Sequence, residues 1–470
     1  MGMAVALLFY ALALVLLSRM TAPKQDNTAF FRAGRRSPWM MVAYGMIGAS
    51  VSGVSVVSVP GMVMTQQMTY LQMCLGFILG YLVIAFVLLP LYYRLNLTTI
   101  YAYLELRLGR RSRLTGASFF LLSKMTGAAV KFYVVCFLLH ELILEQWGCP
   151  FALTAVMLIT FIYLYTQRGG IKTLVWTDVL QTTCMLLAII VIFVQVMHAL
   201  HLSWEQLIPC IEQSGMSRIF ITDNVSSPHY FWKQLLSGMF VVIVMTGLDQ
   251  DMMQKNLTCK NLRAAQKDMC VYGLAFVPFN LLLLTLGLLL VMLAQQQGLP
   301  LPGKGDELLP MFAATGRLGY MVVVLFTLGV VAASFSSADS ALTALTTSCC
   351  VDIYRRENDV TLRRRVHLLC CLFFLGFILL FRAVDTSSVI DAVYVLCGYT
   401  YGPLLGLFAF SLFTPWGVTD RYVPAVAIVS PILSFGIDKV AILFADYHMG
   451  YELLILNGTL TFFGLLLLKK

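Results

Sequence analysis

Apolar segments long enough to cross a lipid bilayer recur along the whole chain of 470 residues. A membrane-spanning helix needs about 20 predominantly apolar residues, because the hydrocarbon core of a bilayer is about 30 Å thick. About thirteen such segments are predicted, at residues 2–17, 39–63, 70–91, 115–144, 151–166, 173–197, 230–248, 269–295, 317–348, 366–383, 387–412, 422–437 and 451–468. Only 12% of the residues are charged, against about 25% in soluble proteins. The sequence therefore predicts an all-α polytopic membrane protein with one transmembrane domain, residues 1–470.

The basic residues are divided unequally between the two sets of connecting loops. When alternate loops are assigned to one side, beginning with the loop after the first segment, that side holds 24 of the 32 lysines and arginines. Loops rich in lysine and arginine face the cytoplasm. We therefore expect a plasma or inner membrane protein with its N-terminus outside and its C-terminus in the cytoplasm. The net charge of +9 then reflects orientation, and no nucleic-acid partner is expected.

Two connecting regions are expected to contain helices of their own. The longest outer loop, at about 198–229, carries tryptophan, prolines and several acids, which favours a short external helix. The stretch from Asp249 to Lys267 mixes charged and apolar residues, and we interpret it as an amphipathic helix on the cytoplasmic surface.

One predicted helix carries a run of oxygen-bearing side chains. Within the otherwise apolar segment 317–348, the oxygens of Ser336, Ser337, Asp339 and Ser340 fall within five residues. A carboxylate at bilayer depth costs at least about 2.5–3.5 kcal/mol and is a functional-site hypothesis by default. Small hard cations take oxygen ligands, so the run indicates a cation site. The alternative for Ser336 and Ser337 is hydrogen bonding back to the preceding turn of the helix.

The segment at 39–63 is unusually rich in small residues. It contains four glycines, four serines and one proline, and Pro60-Gly61 lies near its end. Small residues allow close helix packing. They also allow local unwinding, which frees backbone carbonyls and is tolerated in membranes only beside a cavity or a bound group. Composition leaves both interpretations open, although broken helices near the bilayer midplane are common in transporters.

Several short motifs follow one another in a characteristic order. They are Phe30-Phe31-Arg32-Ala33-Gly34-Arg35-Arg36-Ser37-Pro38; Gly169-Gly170-Ile171-Lys172-Thr173-Leu174-Val175-Trp176-Thr177-Asp178-Val179-Leu180-Gln181; Gly247 with Asp249-Gln250 and Gln254-Lys255; the Ser336 to Ser340 run; Asp352-Ile353-Tyr354-Arg355; and Gly402-Pro403-Leu404-Leu405-Gly406-Leu407-Phe408. This series resembles the sodium/solute symporter family, which includes sodium-coupled sugar, proline and sialic acid carriers. The resemblance covers about residues 30–415.

The resemblance implies two inverted repeats of five helices, with the first and sixth core helices broken. The repeats would be residues 39–198 and 230–412, after an extra N-terminal helix and cytoplasmic loop at 1–38 and before two C-terminal helices at 413–470. The sodium site shared across this fold would then use the carbonyls of Gly48, Val51 and Ala333 with the hydroxyls of Ser336 and Ser337. A second sodium site, found in some members, would involve Asp178, Ser336, Asp339 and Ser340.

The chemistry of two carboxylates supports a cation at the second position. If Asp178 and Asp339 approach each other in a low dielectric, they cannot both stay ionised without a positive charge between them. Sodium would supply that charge, and a shared proton is the alternative. Asp339 replaces a serine that some members of the family have, which makes it the point of divergence from the family pattern.

The candidate substrate residues are polar side chains beside the small-residue helix. Ser50, Ser52 and Ser55 follow the expected break, and Gln72 could face them from the next helix. Lys131 lies within an apolar helix, and a buried ammonium needs a partner; a basic residue on the equivalent helix serves the carboxylate in sialic acid carriers of the family. The hexose pattern of the family is absent, because Val242, Met245 and Leu274 stand at its polar positions.

These observations predict a sodium-coupled symporter that imports a small polar organic solute by alternating access. A carboxylated solute, such as a sialic acid, a sugar acid or an amino acid, is preferred. A proton-coupled or neutral-sugar symporter of the same fold is the alternative. An integral-membrane enzyme is not expected, since the six histidines show no ligand spacing. Sodium is the coupling ion, with no organic cofactor; the expected partners are the solute and the bilayer, with no obligate protein partner.

Overall fold

The computed structural model describes residues 2–21, 26–145, 148–225, 227–383, 386–445, 447, 449–450 and 452–470. These parts of the chain are mostly helical and contain no β-strand. The first helices are α1 (Gly2–Thr21), α2 (Asn27–Arg32), α3 (Trp39–Ser50), α4 (Gly53–Gly61), α5 (Val63–Gln66), α6 (Tyr70–Val83), α7 (Leu89–Arg94), α8 (Ala102–Arg107), α9 (Arg110–Leu139), α10 (Phe151–Gly169) and α11 (Ile171–Ala199).

The second half of the chain is also helical. Its helices are α12 (Trp204–Gln213), α13 (Phe231–Val242), α14 (Gln250–Asn256), α15 (Leu262–Gln296), α16 (Leu308–Ala313), α17 (Tyr320–Ser348), α18 (Val360–Ala383), α19 (Thr386–Phe413), α20 (Val423–Ala445) and α21 (Glu452–Leu466). Short π-helical turns join α6 to α7 at 84–88 and extend α13 to Gly247. Each of the predicted apolar segments coincides with one of these helices or with a bent pair.

The number of membrane crossings is bounded by helix length and composition. Within the described residues, nine helices are long and apolar enough to cross a membrane, or up to eleven if each of two bent pairs forms one span. The first pair, α3 and α4, is bent by 64°, and the second, α13 and α14, is bent by 72°. The total of thirteen spans and the boundaries of the inverted repeats stay predictions.

The two predicted loop helices have different outcomes. The helix predicted within the loop at 198–229 is confirmed as α12, which begins with a capping box at Ser203 and Gln206, and its external position stays a prediction. The prediction of a surface helix after Gly247 is wrong at its start, because every residue of Gln250–Asn256 is buried. The 72° bend turns α14 back into the protein, where its polar side chains find partners among other helices.

The core places α11 beside the helices that carry the candidate site. This helix packs along α17 and against α3, and α1 covers parts of α10, α11 and α17. Small residues permit these approaches: an added Cβ at Gly45 would lie 2.8 Å from the Cβ of Asp178, and one at Gly329 would lie 2.7 Å from the Cβ of Ala188. The packing brings the serine run of α17, the break after α3 and Asp178 of α11 into one buried region.

Candidate functional site

The break between α3 and α4 consists of two residues in extended conformation. Val51 has φ −85° and ψ 93°, and Ser52 has φ −72° and ψ 162°. The Ser52 hydroxyl accepts a hydrogen bond from the Ser55 amide at 3.4 Å, which caps the N-terminus of α4. Because α3 ends at Ser50, its last carbonyls have no amide partner in the next turn. Backbone oxygens are thereby available inside the protein.

The hydroxyl of Ser337 faces one of these carbonyls. Ser337 Oγ donates to Ala49 O at 3.3 Å and to Ala333 O at 3.2 Å. The single hydroxyl proton can therefore serve either a carbonyl across the break or the preceding turn of its own helix. The carbonyl that reaches Ser337 belongs to Ala49, which lies between the predicted ligands Gly48 and Val51. The amide of Val51 donates to Ile47 O at 3.0 Å and completes the end of α3.

Two further buried hydroxyls flank the break. In the described part of the chain, Thr182 Oγ1 and Ser334 Oγ have no hydrogen-bond partner. Thr182 packs against Gly48, where an added Cβ would lie 3.0 Å from the Thr182 Cβ, and Ser334 packs against Gly53 in the same way. Leaving a buried hydroxyl unpaired costs free energy. A cation that takes oxygen ligands would satisfy hydroxyls and carbonyls in this position.

Asp178 lies at the junction of three helices. Its Oδ1 accepts a hydrogen bond from Ser336 Oγ of α17 at 2.6 Å, and its Oδ2 lies 2.7 Å from Lys255 Nζ of α14. The side chains of Asp178 and Lys255 are 1% and 2% exposed. Burial of an ion pair is tolerated only when geometry and hydrogen bonds compensate the lost hydration, and here both carboxylate oxygens are paired.

Asp339 lies one helical turn after Ser336 on α17. Among the described contacts, its carboxylate accepts hydrogen bonds only from uncharged groups. Tyr165 OH donates to its Oδ2 at 2.5 Å, Gln181 Nε2 lies 3.3 Å from the same oxygen, and Ser340 Oγ lies 3.4 Å from its Oδ1. With the amide turned over, the Gln181 nitrogen donates instead to Asp178 Oδ1 at 3.2 Å. One buried amide thus lies between the two carboxylates and can donate to either of them, but not to both at once.

The candidate substrate residues are only partly brought together. Ser50 hydrogen-bonds to Tyr272 of α15, whose hydroxyl also accepts from Tyr81 OH of α6 at 2.9 Å. Ser52 is buried, while Ser55 is partly exposed on α4. The hydroxyls beside the break therefore belong to a network that reaches α6 and α15.

Gln72 and Lys131 occupy different surroundings. The Gln72 amide is fully buried and ties α6 to the segment before α13, donating to His229 O at 3.0 Å and accepting from Ile221 N at 3.0 Å. Lys131 is partly buried on α9. The structure thus gives Gln72 hydrogen-bond partners within the protein, and the role predicted for Lys131 stays a prediction.

A second ionic cluster forms at the bend between α13 and α14. Lys124 Nζ of α9 lies 2.7 Å from Asp251 Oδ2 and 3.3 Å from Asp249 Oδ2. Tyr401 of α19 donates to Asp249 Oδ2 at 2.8 Å, and Asp249 also caps α14 by accepting from the amides of residues 251 and 252. The cluster joins α9, α14 and α19 at the point where the helix bends.

Sequence reasoning missed three members of this region. Thr182 follows Asp178 by one helical turn, so a shared helix face could have indicated it. Lys255 belongs to the motif that follows Gly247, but the sequence predicts a surface helix there, because the bend before α14 has no local signal stronger than Gly247. Nothing in the sequence distinguishes Tyr272 as a site residue, since a tyrosine within an apolar helix usually only packs against neighbouring helices.

The profile of the sodium:solute symporter family matches residues 30–417 of the chain. The chain belongs to the sodium:solute symporter family. This match confirms the resemblance seen in the sequence motifs and extends over the breaks, the serine run and Asp178. The ionic and hydroxyl contacts described above are therefore those of a sodium:solute symporter family member.

Individual relatives are carriers rather than enzymes. The chain is 27% identical to the sodium-dependent multivitamin transporter of Oryctolagus cuniculus over 407 residues, which cover 82% of this chain and 61% of that transporter. It is 24% identical to the sodium/sialic acid symporter of Proteus mirabilis over 445 residues, or 87% of this chain and 84% of the relative. A solved sodium-coupled sialic acid symporter has the same fold, with a TM-score of 0.84 at 20% identity, covering 99% of this chain and 97% of the other.

Proposed function

We propose that the protein is a sodium-coupled symporter that imports a small polar organic solute by alternating access. The observation that carries the proposal is the contact of Ser337 Oγ with the Ala49 carbonyl at 3.3 Å, across the break between α3 and α4. A helix that ends inside a membrane protein exposes carbonyls that need a partner. Membership of the family supports sodium as that partner.

The proposed sodium site uses carbonyls and hydroxyls from two helices. Gly48, Val51 and Ala333 supply carbonyls, and Ser336 and Ser337 supply hydroxyls, as the family pattern implies. The contact of Ala49 with Ser337 supports the approach of α3 to α17 that such a site requires. The unpaired hydroxyls of Thr182 and Ser334 extend the same oxygen-rich surface, which fits a hard cation.

A second cation position is proposed between the two buried carboxylates. Asp178, Ser336, Asp339 and Ser340 are the residues predicted for it, and the Gln181 amide lies between Asp178 and Asp339. Two carboxylates so placed need positive charge or a proton to remain buried. This position sits between α11 and α17, which pack closely along each other.

The preferred substrate carries a carboxylate. Lys131 of α9 supplies a partly buried ammonium. One relative that this chain matches over most of the relative's length is a sodium/sialic acid symporter. Ser50, Ser52 and Ser55 supply hydroxyls at the break, and Tyr272 binds Ser50. We propose the cell membrane as the location, with the N-terminus outside, as the distribution of basic residues predicts.

Ion coupling can sustain a steep solute gradient. One positive charge crossing a potential of about 100 mV gains about 2.3 kcal/mol, and a tenfold sodium gradient adds about 1.4 kcal/mol. A single sodium ion per cycle could therefore sustain a solute ratio on the order of several hundred. A second ion would roughly square that ratio, so the number of ions decides how far the solute can be concentrated.

Uptake into proteoliposomes tests the proposal. Purified protein is reconstituted, an inward sodium gradient is imposed, and uptake of radiolabelled sialic acids, sugar acids, proline and hexoses is compared. Accumulation of at least one solute that collapses when choline replaces sodium at fixed pH is the expected result. Uptake that persists in choline and follows an imposed proton gradient would assign the alternative, proton coupling.

A further inference from the structure

A groove with a volume of about 370 Å³ runs along the exposed side of α18. An added Cβ at Gly376 would meet no atom of the described residues outside its own helix within 4 Å, so this position leaves the groove open. The side chains that line the groove are apolar and come from one helix: Leu369, Leu372, Phe373, Gly376, Phe377 and Leu380. The helix therefore presents a concave apolar surface that no described helix fills.

The opposite face of α18 is the one that packs into the protein. His367 Nε2 lies 2.9 Å from Thr166 Oγ1 of α10, and its Nδ1 lies 2.8 Å from Thr346 Oγ1 of α17. These contacts fix the rotation of α18, so the groove faces away from the protein. Because α18 is long and apolar enough to cross a membrane, the groove lies at bilayer depth. A lipid chain, another apolar molecule or a second membrane helix can reach it there, and water-soluble ligands cannot.

Two exposed arginines, Arg364 and Arg365, lie at the start of α18. Neither takes part in the ion pairs of the described residues. Arg365 precedes Leu369 by one helical turn, which places it on the same face as the groove. From Leu369 to Leu380 the groove extends about 16 Å along the helix axis, about half of the hydrocarbon thickness of a bilayer. Cationic groups at the membrane surface are thus followed by an apolar channel as deep as one leaflet.

The charges favour a lipid over a second copy of the chain as the occupant. A two-fold dimer brings the same surface of each copy together, and here it would place the arginine pairs of the two copies near each other, where like charges repel. The other end of α18 does not compete for an anionic headgroup in the same way. Arg382 lies 5.4 Å from the ring centroids of Phe137 and Phe151, so its charge is directed toward α9 and α10.

We propose that the groove binds one anionic phospholipid, with an acyl chain along Gly376 and the phosphate headgroup at Arg364 and Arg365. Basic residues beside a membrane helix attract the anionic lipids of the cytoplasmic leaflet, and the distribution of basic residues predicts that this end of α18 faces the cytoplasm. The bound lipid holds α18 against α10 and against α17, the helix that carries Ser337. The inference is separate from symport, because it requires only that α18 crosses a bilayer.

Lipid titration of the purified protein in detergent tests this site. The midpoint of thermal unfolding is measured with added dioleoylphosphatidylglycerol, which is anionic, or dioleoylphosphatidylcholine, which has the same chains and no net charge. Native mass spectrometry counts the lipids retained. The wild type should be stabilised more by the anionic lipid and should retain one molecule of it per chain.

Two variants address the two parts of the site. Gly376→Leu fills the groove, and the double variant Arg364→Gln with Arg365→Gln removes the headgroup charges. Each should raise the concentration of anionic lipid needed for half-maximal stabilisation roughly tenfold or more. Gly436→Leu, at an exposed glycine of α20, and the double variant Arg36→Gln with Arg356→Gln, at two exposed arginines, are the matched controls and should respond like the wild type.

The outcomes decide between the possible occupants. Equal stabilisation of the wild type by both lipids overturns the proposal, and so does an anionic-lipid response that both variants keep. A wild type that is dimeric in detergent and becomes monomeric in Gly376→Leu assigns the groove to a second copy and likewise overturns it. If Gly376→Leu does not fold, the arginine variant and its control still decide. None of these measurements uses sodium or solute, so their failure leaves the proposed function intact.

Discussion

The hydroxyl of Ser337 lies 3.3 Å from the carbonyl oxygen of Ala49, a residue 288 positions earlier in the chain. The contact joins α17 to the end of α3, where the helix stops inside the protein. The same hydroxyl reaches Ala333 O in its own helix at 3.2 Å. The Ser337 side chain thus contacts carbonyl oxygens from two different halves of the molecule. A small cation bound there would be coordinated by the same oxygens.

Replacing Ser337 with alanine should weaken sodium binding without removing the solute site. Loss of one oxygen ligand to a charged partner costs about 1.5–3 kcal/mol, so the sodium concentration for half-maximal uptake should rise about tenfold to hundredfold. This concentration is measured from the sodium dependence of solute uptake in proteoliposomes. Ser430→Ala is the matched control, since that hydroxyl hydrogen-bonds back to Val426 O within α20. An unchanged sodium requirement in Ser337→Ala would remove the residue from the site.

Gly48→Ala should distort the same region by steric contact. An added Cβ would overlap the Thr182 hydroxyl and lie 3.0 Å from the Thr182 Cβ. Overpacking of this kind costs about 1–3 kcal/mol, so thermal stability and sodium affinity should both fall. Gly376→Ala on α18 is the control, because an added Cβ there meets no atom of the described residues outside its own helix within 4 Å. Combining Gly48→Ala with Thr182→Ala should restore part of the lost thermal stability and sodium affinity. If the double variant recovers neither, the added Cβ clashes with a group other than Thr182.

Lys131→Ala should discriminate between anionic and neutral solutes. If the ammonium binds a substrate carboxylate, its removal should lower uptake of carboxylated solutes by about tenfold or more, since hydrogen bonds to charged groups contribute about 1.5–3 kcal/mol. Competition of neutral and anionic solutes for uptake measures the selectivity. The control Lys439→Ala removes an exposed ammonium of α20. It should change neither the uptake of anionic solutes nor that of neutral solutes. Equal losses for both classes of solute would indicate a structural role for Lys131.

Breaking the ionic cluster at the second bend should destabilise the protein. Lys124→Met leaves Asp249 and Asp251 buried without their ammonium, and removal of one partner of a buried ion pair costs about 3–5 kcal/mol. The midpoint of thermal unfolding in detergent should fall markedly. Adding Asp251→Asn to Lys124→Met should recover part of the loss, because one of the two uncompensated charges is removed. A variant as stable as the wild type would show that Lys124 contributes little to holding α9 against α14.

The sequence determined the helices themselves. Long apolar segments with few charges have only one way to satisfy their backbone in a membrane, which is to form helices, and each predicted segment is helical in the structure. The small residues from Gly45 to Gly53 allowed either close helix packing or a break, and the structure contains both, since α3 ends at Ser50 and α11 approaches closely at Gly45 and Gly48. Ordered motifs identified the family, since motif order is a property of the sequence alone.

Only the tertiary structure decided which polar groups meet. Lys255 and Asp178 are 77 positions apart, and their contact depends on a 72° bend that turns α14 inward. The partners of Ser50 and of Ser337 likewise come from helices distant in sequence, and those of Gln72 come from the segment before α13. Hydropathy and spacing describe one helix at a time, whereas ion pairs and hydrogen bonds are fixed by the rotation and tilt of helices packed against one another. The sequence therefore located the oxygen atoms of the candidate site, and packing supplied the carbonyl and the ammonium that face them.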